Sequence, residues 1–193
     1  MRVFNINFDV THYQALLVDG DDEFTFPYLD VMDFQAGRVG DSWKPPPVYV
    51  DQPRLKRPDI FHLVGAIGLV FTPPALSVLE RFALWVGELL PLPFGEEVFQ
   101  LLNVLQVYDC LDTERTIFSG GAARVLEFKP HRVPEAPVFR IPQNQSAQLF
   151  CHEGVAEPFW EFKSVVENAG LEGLTFEEVW NDRDGGIERK PRW

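Results

Sequence analysis

The sequence predicts an α+β protein with mostly antiparallel sheet and two main helices, over about residues 73–86 and 157–169. Three observations predict it. Apolar and polar residues alternate in short runs along most of the chain, the signature of half-buried strands. Only two stretches carry apolar residues at three- and four-residue spacing, as helices do. The strand-like runs do not alternate regularly with the helical ones, as a parallel doubly wound sheet would require. Sixteen prolines imply many short elements joined by rigid connections, and the pattern accommodates roughly seven to nine strands.

The stretch from Ile60 to Val86 organises the rest. Ile60–Phe71 is apolar except for His62 and rich in β-branched residues and Phe, so it reads as one strand covered on both faces. Thr72-Pro73-Pro74 ends it and opens a helix. Thr72 is placed to accept from the first free N–H groups, and proline suits a first turn because its missing donor would be unpaired there. Leu76, Leu79, Phe82, Ala83 and Val86 form an apolar face, and Gly87 is a stop. Residues 60–79 are a run of 20 without Asp, Glu, Lys or Arg, close to the length of a membrane span. A span is rejected because Pro73-Pro74 interrupts the run and its second part is amphipathic.

Phe4, Ile6, Phe8 and Val10 alternate with Asn5, Asn7 and Asp9 in a half-buried strand, and Ala15–Val18 is a second. From Val3 to Gly37 there are seven acids and no Lys or Arg, including the turn Asp19-Gly20-Asp21-Asp22-Glu23. That turn lacks the spaced ligands of a calcium loop. Pro45, Pro46 and Pro47 enforce an extended arm over 43–53 that ends in Val48-Tyr49-Val50, a sheet-edge segment. Arg54, Lys56 and Arg57 are a small basic cluster. Glu88–Leu92 is extended, Val98–Tyr108 is a covered strand, and Arg124–Lys129 alternates after a Gly120-Gly121 turn. Val138–Ile141 and Gln148–His152 are short strands. The second helix starts at Glu157-Pro158, buries Phe159, Phe162, Val165 or Val166, and Ala169, and stops at Gly170. Leu174–Trp180 closes the fold, with Leu174, Phe176, Glu178 and Trp180 on one face and Thr175, Glu177 and Val179 on the other. These segments read as one domain over 1–193, with an N-terminal subregion 1–58 and a main body 59–182.

The apolar fraction of 46% and 17 Phe can build a core. The two cysteines, Cys110 and Cys151, form neither a disulfide framework nor a metal pattern, so they read as reduced thiols of a cytoplasmic protein. The start MRVFNINFDV is not a signal peptide. A net charge of −12 disfavours nucleic acid and anionic membranes and suits a basic protein partner.

No nucleotide-binding, serine-hydrolase or metalloprotease motif is present, and no cofactor is expected. His12, His62, His131 and His152 are scattered, and His62 reads as a hydrogen-bonded core histidine. Cys151 and His152 are strand neighbours pointing to opposite faces, so they do not make a nucleophile–base pair. Glu157 and Glu161 share a helix face, where they offset the helix dipole. The five tryptophans, without interleaved basic residues, read as core and interface rather than as a nucleic-acid stacking platform.

The succession GDSWKPPPVYV, DIFHLVGAIGLVFTPPALSVLERF, GELLPL, NVLQVYDCLD, RVLEFKP, FRIPQ and LFCHEGVAEPFWEFKSVVENAGLEGLTFEEVWND resembles the immunity protein eleven family of bacterial polymorphic toxin systems. The resemblance runs from about Gly37 to Asp182. It implies a small cytoplasmic antidote, not an enzyme, that binds the toxic domain of a cognate secreted effector and blocks it. It carries neither the activity of the toxin nor any toxin-contacting residue. A basic effector domain such as a nuclease would be steered to an acidic inhibitor. Two surfaces are candidates for that contact. One is the acidic N-terminal end, Asp19, Asp21, Asp22, Glu23, Asp30 and Asp33. The other is the C-terminal edge, Glu177, Glu178, Asp182 and Asp184, with Trp180 as an aromatic anchor inside an acidic rim. An effector-loading adaptor or an enzyme with an unrecognised site are the competing readings, and an unpaired edge strand leaves a homodimer open.

Overall fold

Residues 1–19, 36–119, 122–145 and 147–188 are described by the computed structural model. Among them are two α-helices and thirteen strands in mostly antiparallel sheets, an α+β fold. The expected acidic residues Asp21, Asp22, Glu23, Asp30 and Asp33 and the Gly120-Gly121 turn lie outside the described residues.

Five strands form the first sheet, in the order β10-β11-β1-β12-β13: β1 (Arg2–Phe8), β10 (Val138–Phe139), β11 (Leu149–Glu153), β12 (Leu174–Asn181) and β13 (Gly185–Gly186). β1 is central and antiparallel to both β11 and β12. It is therefore covered on both faces rather than half-buried, and Val3 and Asn5 are buried along with Phe4 and Ile6. Val10 falls beyond the strand and is exposed.

The second sheet has the order β4-β5-β7-β6: β4 (Ile60–Phe61), β5 (Leu69–Phe71), β6 (Gly87–Phe94) and β7 (Glu97–Val104). The expected single strand over Ile60–Phe71 is thus two short strands folded back on each other, with Ile60 opposite Phe71. The two strands are covered on both faces as expected, but the chain reverses between them, where Val64 is exposed. Gly65, at φ 89°, supplies the left-handed backbone of the reversal. The edge strand β6 carries Pro91 and Pro93, which offer no N–H to a further strand. Two smaller antiparallel pairs complete the strands: β2 (Ala15–Val18) with β3 (Val48–Asp51), and β8 (Ile117–Ser119) with β9 (Ala122–Val125).

Between the sheets runs helix α1 (Pro73–Val86), with the short α2 (Phe162–Asn168) beside it. Strand alternation divides the interior into three cores. Phe4, Ile6, Ile60, Leu69, Phe71, Leu102, Val104, Leu149 and Cys151 meet Leu79, Phe82, Ala83 and Val86 of α1 and Phe162 and Val166 of α2 in the central core. Phe61, Val70, Phe99 and Leu101 point the other way, under β2, β3 and Trp43. Val3, Phe139, Phe150, Val179 and Trp180 point away from the helices onto Cys110, Leu111, Leu126 and Phe128. Burying each large side chain contributes about 1.5–3 kcal/mol.

Helix α1 has its expected bounds, but its start is made differently. Thr72 is extended, as a residue before proline must be, and its hydroxyl donates to the Asp59 carbonyl instead of capping the helix. Gly87 ends α1 for a reason of space. Its φ of −169° is open to any residue, but a Cβ there would meet the Asn103 carbonyl oxygen at 1.9 Å. The helix passes straight into β6 through that gap.

The second expected helix is shorter than 157–169. A 3-10 turn over Pro158–Trp160 is followed by Glu161 in extended backbone, and α2 begins only at Phe162. Glu161 is turned inward, where its carboxylate accepts from the Gly154 N–H. Glu157 and Glu161 therefore share no helix face. Val98–Tyr108 keeps strand form only to Val104. Beyond Val125 the 126–129 segment leaves β9, and Lys129 and Asp112 exchange backbone hydrogen bonds with Cys110 and Glu127.

The proline-rich arm is tied down. The Glu88 carboxylate accepts from the N–H groups of Val39 (2.6 Å) and Gly40 (3.1 Å) and from the Asn103 amide (3.0 Å). The Trp43 indole donates to the Pro91 carbonyl at 2.8 Å. Lys56 and Arg57 of the small basic cluster pair with Glu172 and Glu97. Among the described residues no helix is long and apolar enough to cross a membrane.

Candidate functional site

The structure brings three of the four expected C-terminal acids together, Glu177 lying apart, and gives most of them partners. Glu178, Asp182 and Asp184 line a polar recess of about 460 Å³ with Met1, Arg2, Asn181 and Arg183. Glu178 lies 3.6 Å from Arg2 and accepts from the Asn181 amide at 3.1 Å. Asp182 accepts from the N-terminal ammonium at 2.9 Å, and that bond holds its carboxyl below the usual range. Glu177 accepts from the Asn7 amide at 3.4 Å. Asp184 uses its backbone N–H, bonded to the Asn181 side chain, and its carboxylate faces water. Asp19 is exposed at the end of β2, and its N–H donates to the Pro47 carbonyl.

Trp180 is not an exposed anchor. It is 3% exposed and packs against Phe128 with ring centroids 6.0 Å apart. The cause is a bulge where β12 pairs with β1. Phe4 faces Glu178 and Val3 faces Trp180, so Val179 is an extra residue and the alternation shifts by one. Trp180 leaves the face of Phe176 and Glu178 and enters the third core. Its indole N–H donates to Glu127 Oε2 (3.1 Å), while Glu127 Oε1 accepts from the Gly186 N–H (2.8 Å). One carboxylate staples the terminal hairpin.

Cys110, Cys151 and His152 are buried and His62 is half-buried, and burial disfavours the charged form of each. Burial pushes the Cys110 thiol up to about 12 and the Cys151 thiol well above its ordinary value. Burial also lowers the pKa of His62 and of His152. Cys151 faces the central core, whereas His152 stacks on Phe139 and donates from Nε2 to the Ala136 carbonyl at 3.1 Å. His62 sits in the turn after β4, stacked on Phe8 at 4.5 Å, and its Nδ1 has no hydrogen-bond partner among the described residues. It is held by stacking rather than by the expected hydrogen bond. Among the described residues no three His, Cys, Asp or Glu side chains converge as metal ligands would.

A different surface stands out. Leu84 and Trp85 on α1 are 65% and 40% exposed, and Phe159 and Trp160 of the 3-10 turn are 54% and 37% exposed. Single exposed apolar side chains are ordinary, but a contiguous group of large ones marks a contact surface. These are ordered. Trp160 meets Trp85 edge-on (6.1 Å, 86°), Phe159 at 5.4 Å, and the buried Phe82 at 6.4 Å. Arg81 donates to the Phe159 carbonyl and holds its guanidinium 4.8 Å above the Trp160 ring. Beside this patch Trp85, Trp160, Glu135, Val155 and Ala156 line a recess of about 450 Å³. Glu80 and Glu157 lie next to it in sequence, both exposed.

No protein-family model, curated protein or solved structure matches the chain.

Part of this patch was readable. Residues 84 and 85 fall off the apolar stripe of 79, 82, 83 and 86, so a helix buried along that stripe must expose them. Phe159 and Trp160 carried no such signal, because an uninterrupted helix from 157 would have buried Phe159.

Proposed function

We propose that this protein is an immunity protein: it acts in the cytoplasm, binds the toxic domain of a cognate secreted bacterial effector, and neutralises it by contact, without chemistry of its own. The observation that carries this reading is the ordered aromatic patch of Leu84, Trp85, Phe159 and Trp160, exposed in water on a chain of net charge −12. Aromatic side chains dominate the centres of protein interfaces, and keeping four large apolar groups in water is unfavourable unless a partner covers them. The acidic surface favours a basic effector domain such as a nuclease, through faster encounter at low salt. The neutral, buried state of Cys110, Cys151 and His152 supports binding over catalysis. The succession of segments resembling the immunity protein eleven family supports the same reading.

The test is co-expression with the toxin domain encoded beside this chain. Protection of the host cell and a complex that survives purification are expected, with a patch burying about 1,600 Å² in total. No association together with no protection would overturn the reading. A stable complex in which the effector stays active would identify a loading adaptor instead. Self-association that is lost on altering the patch would identify a homodimer contact.

A further inference from the structure

We propose that the recess between Trp85 and Trp160 receives a cationic side chain, arginine or lysine, from the bound partner, with Glu135 as its counter-charge. The partner's role rests on the immunity reading above; the selectivity of the recess for a cation does not.

Three features of the recess carry the inference. Its two indoles stand at 86° with centroids 6.1 Å apart, so the walls are aromatic surfaces set at a right angle. A cation attracted to the face of a tryptophan sits within about 6 Å of the ring centroid, and tryptophan is the strongest such partner. Glu135 is the one charged residue of the lining, and Val155 and Ala156 complete it with small apolar groups that leave room for a side chain. The Trp160 ring already carries one guanidinium, that of Arg81, which is tied to the Phe159 carbonyl and does not line the recess. Arg81 is the only base of α1, and Glu80 and Glu157, next to the patch in sequence, are exposed acids.

Glu135 decides between a cation and an apolar plug. A leucine or methionine seated here would cover a carboxylate without compensating it, which is costly. An arginine or lysine supplies the missing charge and stacks its stem on the rings. Arginine fits both requirements best, because its planar guanidinium stacks and bonds at once.

The test uses the full chain labelled with nitrogen-15 and two probes of one shape, butylguanidinium chloride and neutral butylurea, at matched ionic strength. The indole N–H resonances are assigned with Trp85→Phe and Trp160→Phe. Trp43 and Trp180 serve as references, since their N–H groups are bonded to Pro91 and Glu127 away from the recess. The Trp85 and Trp160 resonances are expected to move saturably with the cation and little with the urea. Glu135→Gln, a change on an exposed side chain, is expected to weaken the cation at least about threefold. Equal response to both probes, no response, or indifference to Glu135→Gln overturns the proposal. If the recess titrates but no toxin is neutralised, the immunity reading fails and the cation site stands. If a toxin is neutralised equally well by Glu135→Lys, the site is not the one the partner uses.

Discussion

The C-terminal edge and the patch on α1 both join tryptophan to acids, and they dispose of them in opposite ways. At the edge the tryptophan is inside and the acids are bonded. Trp180 is covered, Glu127 is shared between its indole and the Gly186 N–H, Glu178 meets Arg2 and Asn181, and Asp182 meets the N-terminal ammonium. At the patch the rings of Trp85, on α1, and Trp160, in the 3-10 turn, are partly exposed, fixed by Arg81 and by each other, with Glu135 beside them. A run of acids in a sequence is therefore a poor guide to free charge, because a closing strand consumes it in holding the fold. Aromatic side chains that stay ordered without being buried point more directly to a partner.

Removing one tryptophan from each region separates the two roles. Trp180→Ala is expected to cost about 3–5 kcal/mol of stability, through the lost packing on Phe128 and the lost indole bond to Glu127, whose carboxylate then keeps the Gly186 N–H alone. Chemical denaturation measures it, and a loss below 1 kcal/mol would mean the edge is not built as described. Trp85→Ala is expected to change stability by less than about 1 kcal/mol but to weaken the partner complex by about 2 kcal/mol or more. Titration calorimetry against the toxin domain reads the second number. If Trp85→Ala leaves affinity intact while Trp180→Ala abolishes it in a folded variant, the contrast between the regions is reversed.

Acid should act on the core rather than on the patch. Burial holds the His62 and His152 pKa values below the ordinary imidazole value, so the unfolded chain takes up protons that the folded one resists. The stability this represents is full above about pH 6.5 and is lost as pH falls through the unfolded value toward the folded ones. Thermal unfolding should show stability decreasing below that pH, and His152→Gln should flatten the decrease. An unchanged slope would remove His152 as a cause.

How much of this was legible depended on whether a signal was local. Helix α1 was legible end to end because its stripe, its prolines and Gly87 are all within one segment. The reversal inside 60–71 was obscured because both strands are covered on both faces, so neither alternates; Gly65 and Gly68 were the unused signal. The face of Trp180 could not be read from spacing, since a bulge set by pairing with β1, far away in sequence, shifts it by one residue. The patch divides the same way. Leu84 and Trp85 follow from helical phase, whereas Phe159 and Trp160 depend on Glu161 breaking the helix to reach the Gly154 N–H.

The smallest effect belongs to the one edge acid whose carboxylate is left in water. Asp184 contributes its backbone N–H to the hairpin, so Asp184→Lys keeps that bond and changes only surface charge. Stability should stay within about 0.5 kcal/mol. If the edge merely adds to the overall acidic field, association with a basic toxin domain should slow by about threefold or less at low salt, with the dissociation rate unchanged. The difference should vanish near 1 M salt, where the screening length is about 3 Å. Stopped-flow association at two salt concentrations decides it. A rise in dissociation rate comparable to that of Trp85→Ala would place Asp184 inside the contact, and the edge would then share the binding that is here assigned to the aromatic patch.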